Sequence, residues 1–235
     1  MTSQRQRKDE TYTKYKVVAI DGPAGAGKST VSRLLAKKLG YLYIDTGAMY
    51  RAITLKALNN RVSPQDEPVL IELSKTISIE LKNEADGSLK VILDGKDVST
   101  EIRQSFITRV VSDISRIKGV RTSLLEKQRA FAKTNNVVLD GRDIGTVVFP
   151  DADYKFYIDA DFNERVKRRY KELKEMGQTV SEEEVKSDVK NRDRIDSTRK
   201  VAPLKKADDA SYIDTTNMTI EEVVNRLLEE IRRDE

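Results

Sequence analysis

Five short apolar runs, each closing on an aspartate, recur along this chain of 235 residues: Val17 to Asp21, Tyr41 to Asp45, Val137 to Asp140, Tyr154 to Asp159 and Tyr212 to Asp214. Continuous rather than alternating apolarity marks strands buried on both faces, which is the pattern of a parallel sheet. Helical patterns separate the runs, so the chain is expected to be α/β, a doubly wound five-stranded parallel sheet. In such sheets ligands gather beyond the carboxyl ends of the strands, where these aspartates stand.

Directly after the first run, Gly22, Pro23, Ala24, Gly25, Ala26, Gly27, Lys28 and Ser29 spell G-x-x-x-x-G-K-S, with Thr30 following. Glycines at these places let backbone N–H groups wrap an anion, Lys28 reaches outer phosphates, and the Ser29 hydroxyl suits Mg²⁺. The run Val31, Leu34, Leu35, Leu39 continues as a helix whose positive end faces the loop. Chance production of the four fixed positions in a chain of this kind is on the order of one in a hundred or less. A nucleoside triphosphate is therefore an expected ligand.

The chain holds no cysteine and no histidine. Disulfides, thiolate chemistry, a Ser-His triad and a structural zinc site are excluded as readings. Chemistry is left to carboxylates, lysine, arginine, hydroxyls and a hard cation, an inventory that suits phosphoryl transfer. The net charge of +4 sits mainly in residues 1–16, where five cations meet two anions. The remainder is nearly neutral, which speaks against a nucleic-acid surface. Residues 1–15 read as a flexible basic leader, and 16–235 as a single domain. No stretch suits a secretory signal or a membrane span, so the expected setting is cytoplasmic.

About ninety residues separate the second and third core runs, more than one crossover helix requires. Within them Ile77, Ile79 and Leu81 alternate with polar residues, Asp86-Gly87 makes a turn, Leu89, Val91 and Leu93 alternate again, and Asp94-Gly95 turns once more. A small β-rich insertion over about 62–106 follows, either decorative or built for substrate capture. At the other end Thr219 and Glu222 spell a capping box before the stripe Ile220, Val223, Val224, Leu227, Leu228 and Ile231.

Four further segments carry candidate chemistry, each with a plainer alternative. Thr46, Tyr50 and Arg51 follow Asp45 and suit either a second substrate or an ordinary capped helix start. Asp140 is placed as an outer Mg²⁺ ligand and Arg142 as a phosphate clamp, or the two belong to a turn with one surface ion pair. Arg165, Arg168 and Arg169 share a helical face, fitting a lid that closes on phosphate over about 161–195, or a solvated charged face. Arg192, Asp196 and Arg199 share another, for which a surface ion-pair ladder is the bland account.

Taken together, the segments DGPAGAGKST, DTGAMYR, DGRDIGTVVFP and RDRIDSTR resemble the motifs of bacterial cytidylate kinases, over roughly residues 16–233. The resemblance implies transfer of the ATP γ-phosphoryl group to CMP or dCMP with Mg²⁺, and the chain is expected to act as a monomer that binds neither nucleic acid nor membrane. It implies that the β-rich insertion binds CMP and that the lid is short and helical. Thr46, Tyr50, Ser112, Arg121 and Asp143 would face the pyrimidine or its ribose side. Arg51, Arg142 and Arg199 would grip the acceptor phosphate, and Arg192 and Asp196 would reach the ribose. Lys28, Arg142, Arg199, Arg165 and Arg169 are the expected catalytic cations, with Ser29 and Asp140 toward the metal. The competing readings are a kinase of the same architecture acting on UMP, AMP or another small anion, and a regulatory GTPase or other NTPase or an RNA-binding P-loop protein, against which the chain shows no N-K-x-D guanine signature.

Overall fold

The computed structural model describes residues 15–233, so the expected leader lies almost wholly outside the described residues. Five parallel strands form the central sheet: β1 (Val17–Asp21), β2 (Leu42–Asp45), β6 (Val137–Gly141), β7 (Tyr154–Asp159) and β8 (Ser211–Asp214), in the order β2-β6-β1-β7-β8. These are the five runs read from the sequence. Val17, Val18, Ile20, Val137, Val138 and Leu139 are at most 2% exposed, because helices cover both faces of the sheet centre.

Helix α1 (Lys28–Leu39) follows the loop after β1 and stops at Gly40, whose φ of 70° gives the left-handed cap that glycine adopts without strain. Helix α2 (Thr46–Asn59) starts on Asp45, whose carboxylate accepts the Ala48 N–H at 2.7 Å. The last helix, α8 (Ile220–Arg233), is capped as the sequence implies: Thr219 Oγ1 accepts from Glu222 N, and the Glu222 carboxylate accepts from Thr219 N at 2.8 Å. Val223, Val224, Leu227, Leu228 and Ile231 face inward as one stripe.

The long excursion between α2 and β6 begins with α3 (Glu67–Thr76) and an antiparallel sheet of β3 (Ile79–Asn83), β4 (Leu89–Leu93) and the short β5 (Lys96–Asp97). The hairpin is the expected one, with Asp86-Gly87 and Asp94-Gly95 at its turns. A single 3₁₀ turn, Glu101–Arg103, then leads into α4 (Ser105–Ser115) and α5 (Lys118–Phe131). The Asn83 amide behaves as a piece of backbone, accepting the Tyr43 N–H at 3.1 Å and donating to the Tyr43 carbonyl at 3.0 Å. The small sheet is thereby fastened to the edge strand of the large one.

After β6 the chain makes one π-helical turn, Ile144–Val148, a feature not foreseen from sequence. Asp21 holds that turn: its two carboxylate oxygens accept the Ile144 and Gly145 N–H groups, each at 2.8 Å. Burial drives the Asp21 carboxyl up to about 7, although both N–H donors pull the other way. Between β7 and β8 stand α6 (Phe162–Glu175) and α7 (Glu182–Thr198), two antiparallel helices joined by a short turn.

Candidate active site

A cleft of about 730 Å³ opens above the carboxyl ends of the central strands, where the aspartate-terminated runs place it. One wall is the glycine-rich loop, with Ala24, Gly25, Ala26, Gly27, Lys28, Ser29 and Thr30 lining the space. Gly22 and Pro23 serve from behind. Gly22 has φ of 149°, and a Cβ there would lie 1.9 Å from the Ile158 carbonyl oxygen, so only glycine lets the loop leave β1 against β7. Helix α1 has no side-chain cap and no acidic residue in its first turn, which leaves its N-terminal N–H groups to an incoming anion. Lys28 is 5% exposed and donates to the Pro23 carbonyl at 2.6 Å. Burial first, and Arg142 second, hold its ammonium well below the ordinary lysine value, and an approaching anion would favour the charged form.

Beside the loop, Asp140 is buried, not a surface turn residue. It accepts from Ser29 Oγ and Tyr43 OH, each at 2.8 Å, and its backbone carbonyl accepts from Thr46 Oγ1 at 2.7 Å. Burial and neighbouring Asp45 push its carboxyl up to about 6. A hydroxyl and a carboxylate meeting at the foot of the loop form a hard-oxygen pair of the kind Mg²⁺ prefers.

The opposite wall is built of arginines. Arg142 donates to Asp196 at 2.9 Å, and Arg192 and Arg199 lie 3.9 and 3.7 Å from the same carboxylate. Arg121 and Arg199 both pair with Asp143, the former through a very short contact. Arg51 donates to Asp45 at 3.0 Å, so that carboxylate caps α2 and steers a guanidinium at once. Tyr50 lies beneath Arg121, whose guanidinium stands 5.3 Å from the ring centre. Asp196 is 3% exposed and Asp143 5%, so neither the ion-pair ladder nor the surface turn describes these segments.

Five guanidiniums here face three carboxylates, an excess of two positive charges. The Nε–H groups of Arg51 and Arg192 are buried without any hydrogen-bond partner. Burial, followed by the cationic Arg142, lowers Arg192 to about 9, despite the opposing pull of Asp196. An unsatisfied buried donor costs ~1–3 kcal/mol, which a bound anion would recover. Ser112, 3% exposed, and Thr46 complete this wall.

The lid arginines divide differently from expectation. Arg169 lines the cleft and pairs with Glu172 at 2.7 Å. Arg165 does not line it: the side chain turns to the rear of the loop, donating to the carbonyls of Ala160 at 3.0 Å and Ala24 at 2.9 Å, and pairing with Asp193. Two carbonyls and the Asp193 carboxylate thus hold Arg165 against the rear of the loop, where it braces the loop from outside the cleft lining. Arg168, left out of the expected catalytic set, lines the cleft and is held by Thr215 and Glu164. Thr215, Met218 and Ile220, just beyond β8, also line it and were missed, although the fifth run's closing aspartate marks that strand end. Arg103, Ser105 and Thr108 line the far side, and nothing in the local sequence marked them.

The fold and the two facing anion walls define a P-loop phosphotransferase. Residues 18–233 match the family model described as cytidylate kinase. Similar relatives named cytidylate kinase include that of Caldanaerobacter subterraneus subsp. tengcongensis, 54% identical over 216 residues, spanning 92% of this chain and 94% of that protein. Those of Caldicellulosiruptor saccharolyticus and Pelotomaculum thermopropionicum are 51% and 50% identical, each spanning 90% of this chain and 93% of the relative. The chain belongs to the cytidylate kinase family.

Proposed function

We propose that this chain transfers the γ-phosphoryl group of ATP to CMP or dCMP, giving ADP and the pyrimidine nucleoside diphosphate. The observation that carries the reading is the arginine wall opposite the loop. Its two surplus charges and two unpartnered Nε–H groups match a phosphate monoester dianion, the charge of a nucleoside monophosphate.

The loop holds the donor phosphates through its N–H groups and Lys28, while Arg168 and Arg169 add positive charge from the lid over about 161–195. Arg51, Arg142 and Arg199 hold the acceptor phosphate in line, with Arg192 and Asp196 toward its ribose. The acceptor oxygen is already ionised at neutral pH, so positioning and charge neutralisation do the chemistry and no general base is required. Ser29 and Asp140 are the residues suited to Mg²⁺, which when bound neutralises charge on the donor phosphates. No three carboxylates, histidines or cysteines among the described residues converge as a metal cage, which fits an ion that shares its coordination with nucleotide and water.

The insertion over about 62–106, with Thr46, Tyr50, Ser112, Arg121 and Asp143, takes the pyrimidine side. The cytosine N4 amine donates a hydrogen bond that Asp143 accepts, whereas uracil presents a carbonyl there and leaves a buried carboxylate facing an acceptor. The monomer is taken as the acting form. None of the described helices is long and apolar enough to cross a membrane. The test is ADP release from ATP and Mg²⁺ with CMP, dCMP, UMP and AMP side by side. Preference for the cytidylates is the expected result, and preference for UMP or AMP overturns the acceptor assignment.

A further inference from the structure

Helix α4 presents Ser105, Thr108, Val111, Ser112 and Ser115 to the cleft as one stripe. Its N-cap position, Gln104, makes no side-chain capping bond, so the first-turn N–H groups depend on partners from elsewhere. One partner comes from the turn between the two lid helices. Gln178 Oε1 accepts the Ser105 N–H at 3.0 Å, and Gln178 Nε2 donates to the Arg103 carbonyl at 3.3 Å. A single amide thus satisfies one donor and one acceptor of the chain that enters α4, capping the helix from another part of the molecule. Two looser ties run beside it, Arg169 to Thr108 at 3.4 Å and Arg109 to Asp188 at 3.5 Å.

We propose that Gln178 is a positioning residue for the acceptor: it ties the α6–α7 hairpin to the start of α4 and so fixes the helix that carries Ser112. The lid then does more than cover the donor phosphates. The tie caps and orders the first turn of the helix that carries Ser112, a contribution to monophosphate binding that does not run through the donor phosphates. The idea rests on the proposed acceptor, and it adds a residue that none of the sequence motifs contains. Gln178 is not among the residues lining the cleft, and both of its side-chain bonds go to backbone, so it acts through Arg103 and Ser105.

The experiment compares full-length wild type with Gln178→Ala and Gln178→Glu. A helix cap and a side-chain-to-backbone bond each contribute enough that Gln178→Ala is expected to raise the KM for CMP about five- to tenfold. The KM for ATP stays near wild type, and Tm falls by no more than about 5 °C. Gln178→Glu keeps an acceptor for the Ser105 N–H and recovers part of the loss. Amide hydrogen exchange at residues 105–109, which needs no substrate, should be faster in Gln178→Ala than in wild type. An unchanged KM for CMP, equal rises in both KM values, or unchanged exchange overturns the proposal. Failure of the wild type itself to phosphorylate CMP overturns the acceptor assignment instead, while the exchange measurement still decides whether Gln178 caps α4.

Discussion

Replacing Asp196 by asparagine tests the electrostatic logic of the arginine wall with almost no change of shape. The carboxylate is 3% exposed and serves Arg142, Arg192 and Arg199 at 2.9, 3.9 and 3.7 Å. Burial raises its pKa, but these three arginines outweigh burial and hold the carboxyl below the usual aspartate range. Breaking a buried ion-pair network by removing one member costs ~3–5 kcal/mol, and asparagine returns ~1 kcal/mol by still accepting from Arg142. The net loss is then ~2–4 kcal/mol, or a fall in Tm of about 5–15 °C for a domain of this size.

The pH dependence separates charge from packing. A carboxylate whose folded pKa lies below its unfolded value, about 3.9, contributes stability that is fully present above that value. That stability is lost as pH falls through the folded pKa. The gap in Tm between wild type and Asp196→Asn should therefore be full at neutral pH and close progressively below about pH 4. Thermal unfolding followed by circular dichroism across that range is the assay. A gap under about 2 °C at pH 7, or one of equal size at pH 3, refutes the reasoning.

Arg142→Ala should lower kcat by about 10²- to 10³-fold in a coupled ADP assay while a folded protein persists, since the acceptor loses a charge aligned for transfer. Wild-type-like turnover would remove Arg142 from the clamp. Asp143→Asn should reduce the preference for CMP over UMP about tenfold or more, measured as the ratio of kcat/KM values; an unchanged ratio assigns base reading elsewhere. Gly22→Ala should destabilise by at least ~3 kcal/mol, because its Cβ meets the Ile158 carbonyl and its φ suits glycine. A wild-type Tm for Gly22→Ala would contradict the close approach of loop and β7.

The framework was readable because burial on two faces leaves an unmistakable record: five apolar runs became five strands, and two of the aspartates ending them, Asp45 and Asp140, line the cleft. The hairpin was readable because Asp-Gly turns and alternation encode it locally. Side-chain direction within a charged helix was not. Arg165, Arg168 and Arg169 occupy one face by spacing, yet Arg165 is captured by carbonyls from residues 160 and 24, which no local pattern announces. The arginines of α7 looked like a surface ladder because spacing cannot reveal that a cleft lies against them. Gln178 was invisible for the same reason: a lone glutamine in a turn gains meaning only from the helix end it reaches.

The outer strand of a sheet is an adhesive surface, since its unpaired N–H and C=O groups can recruit a strand from any other chain. In β2 that surface is occupied at Tyr43, where the amide of Asn83 takes up the groups a sixth strand would otherwise claim. The small sheet therefore blunts this edge at that residue, removing one N–H and one C=O that edge-to-edge joining would need.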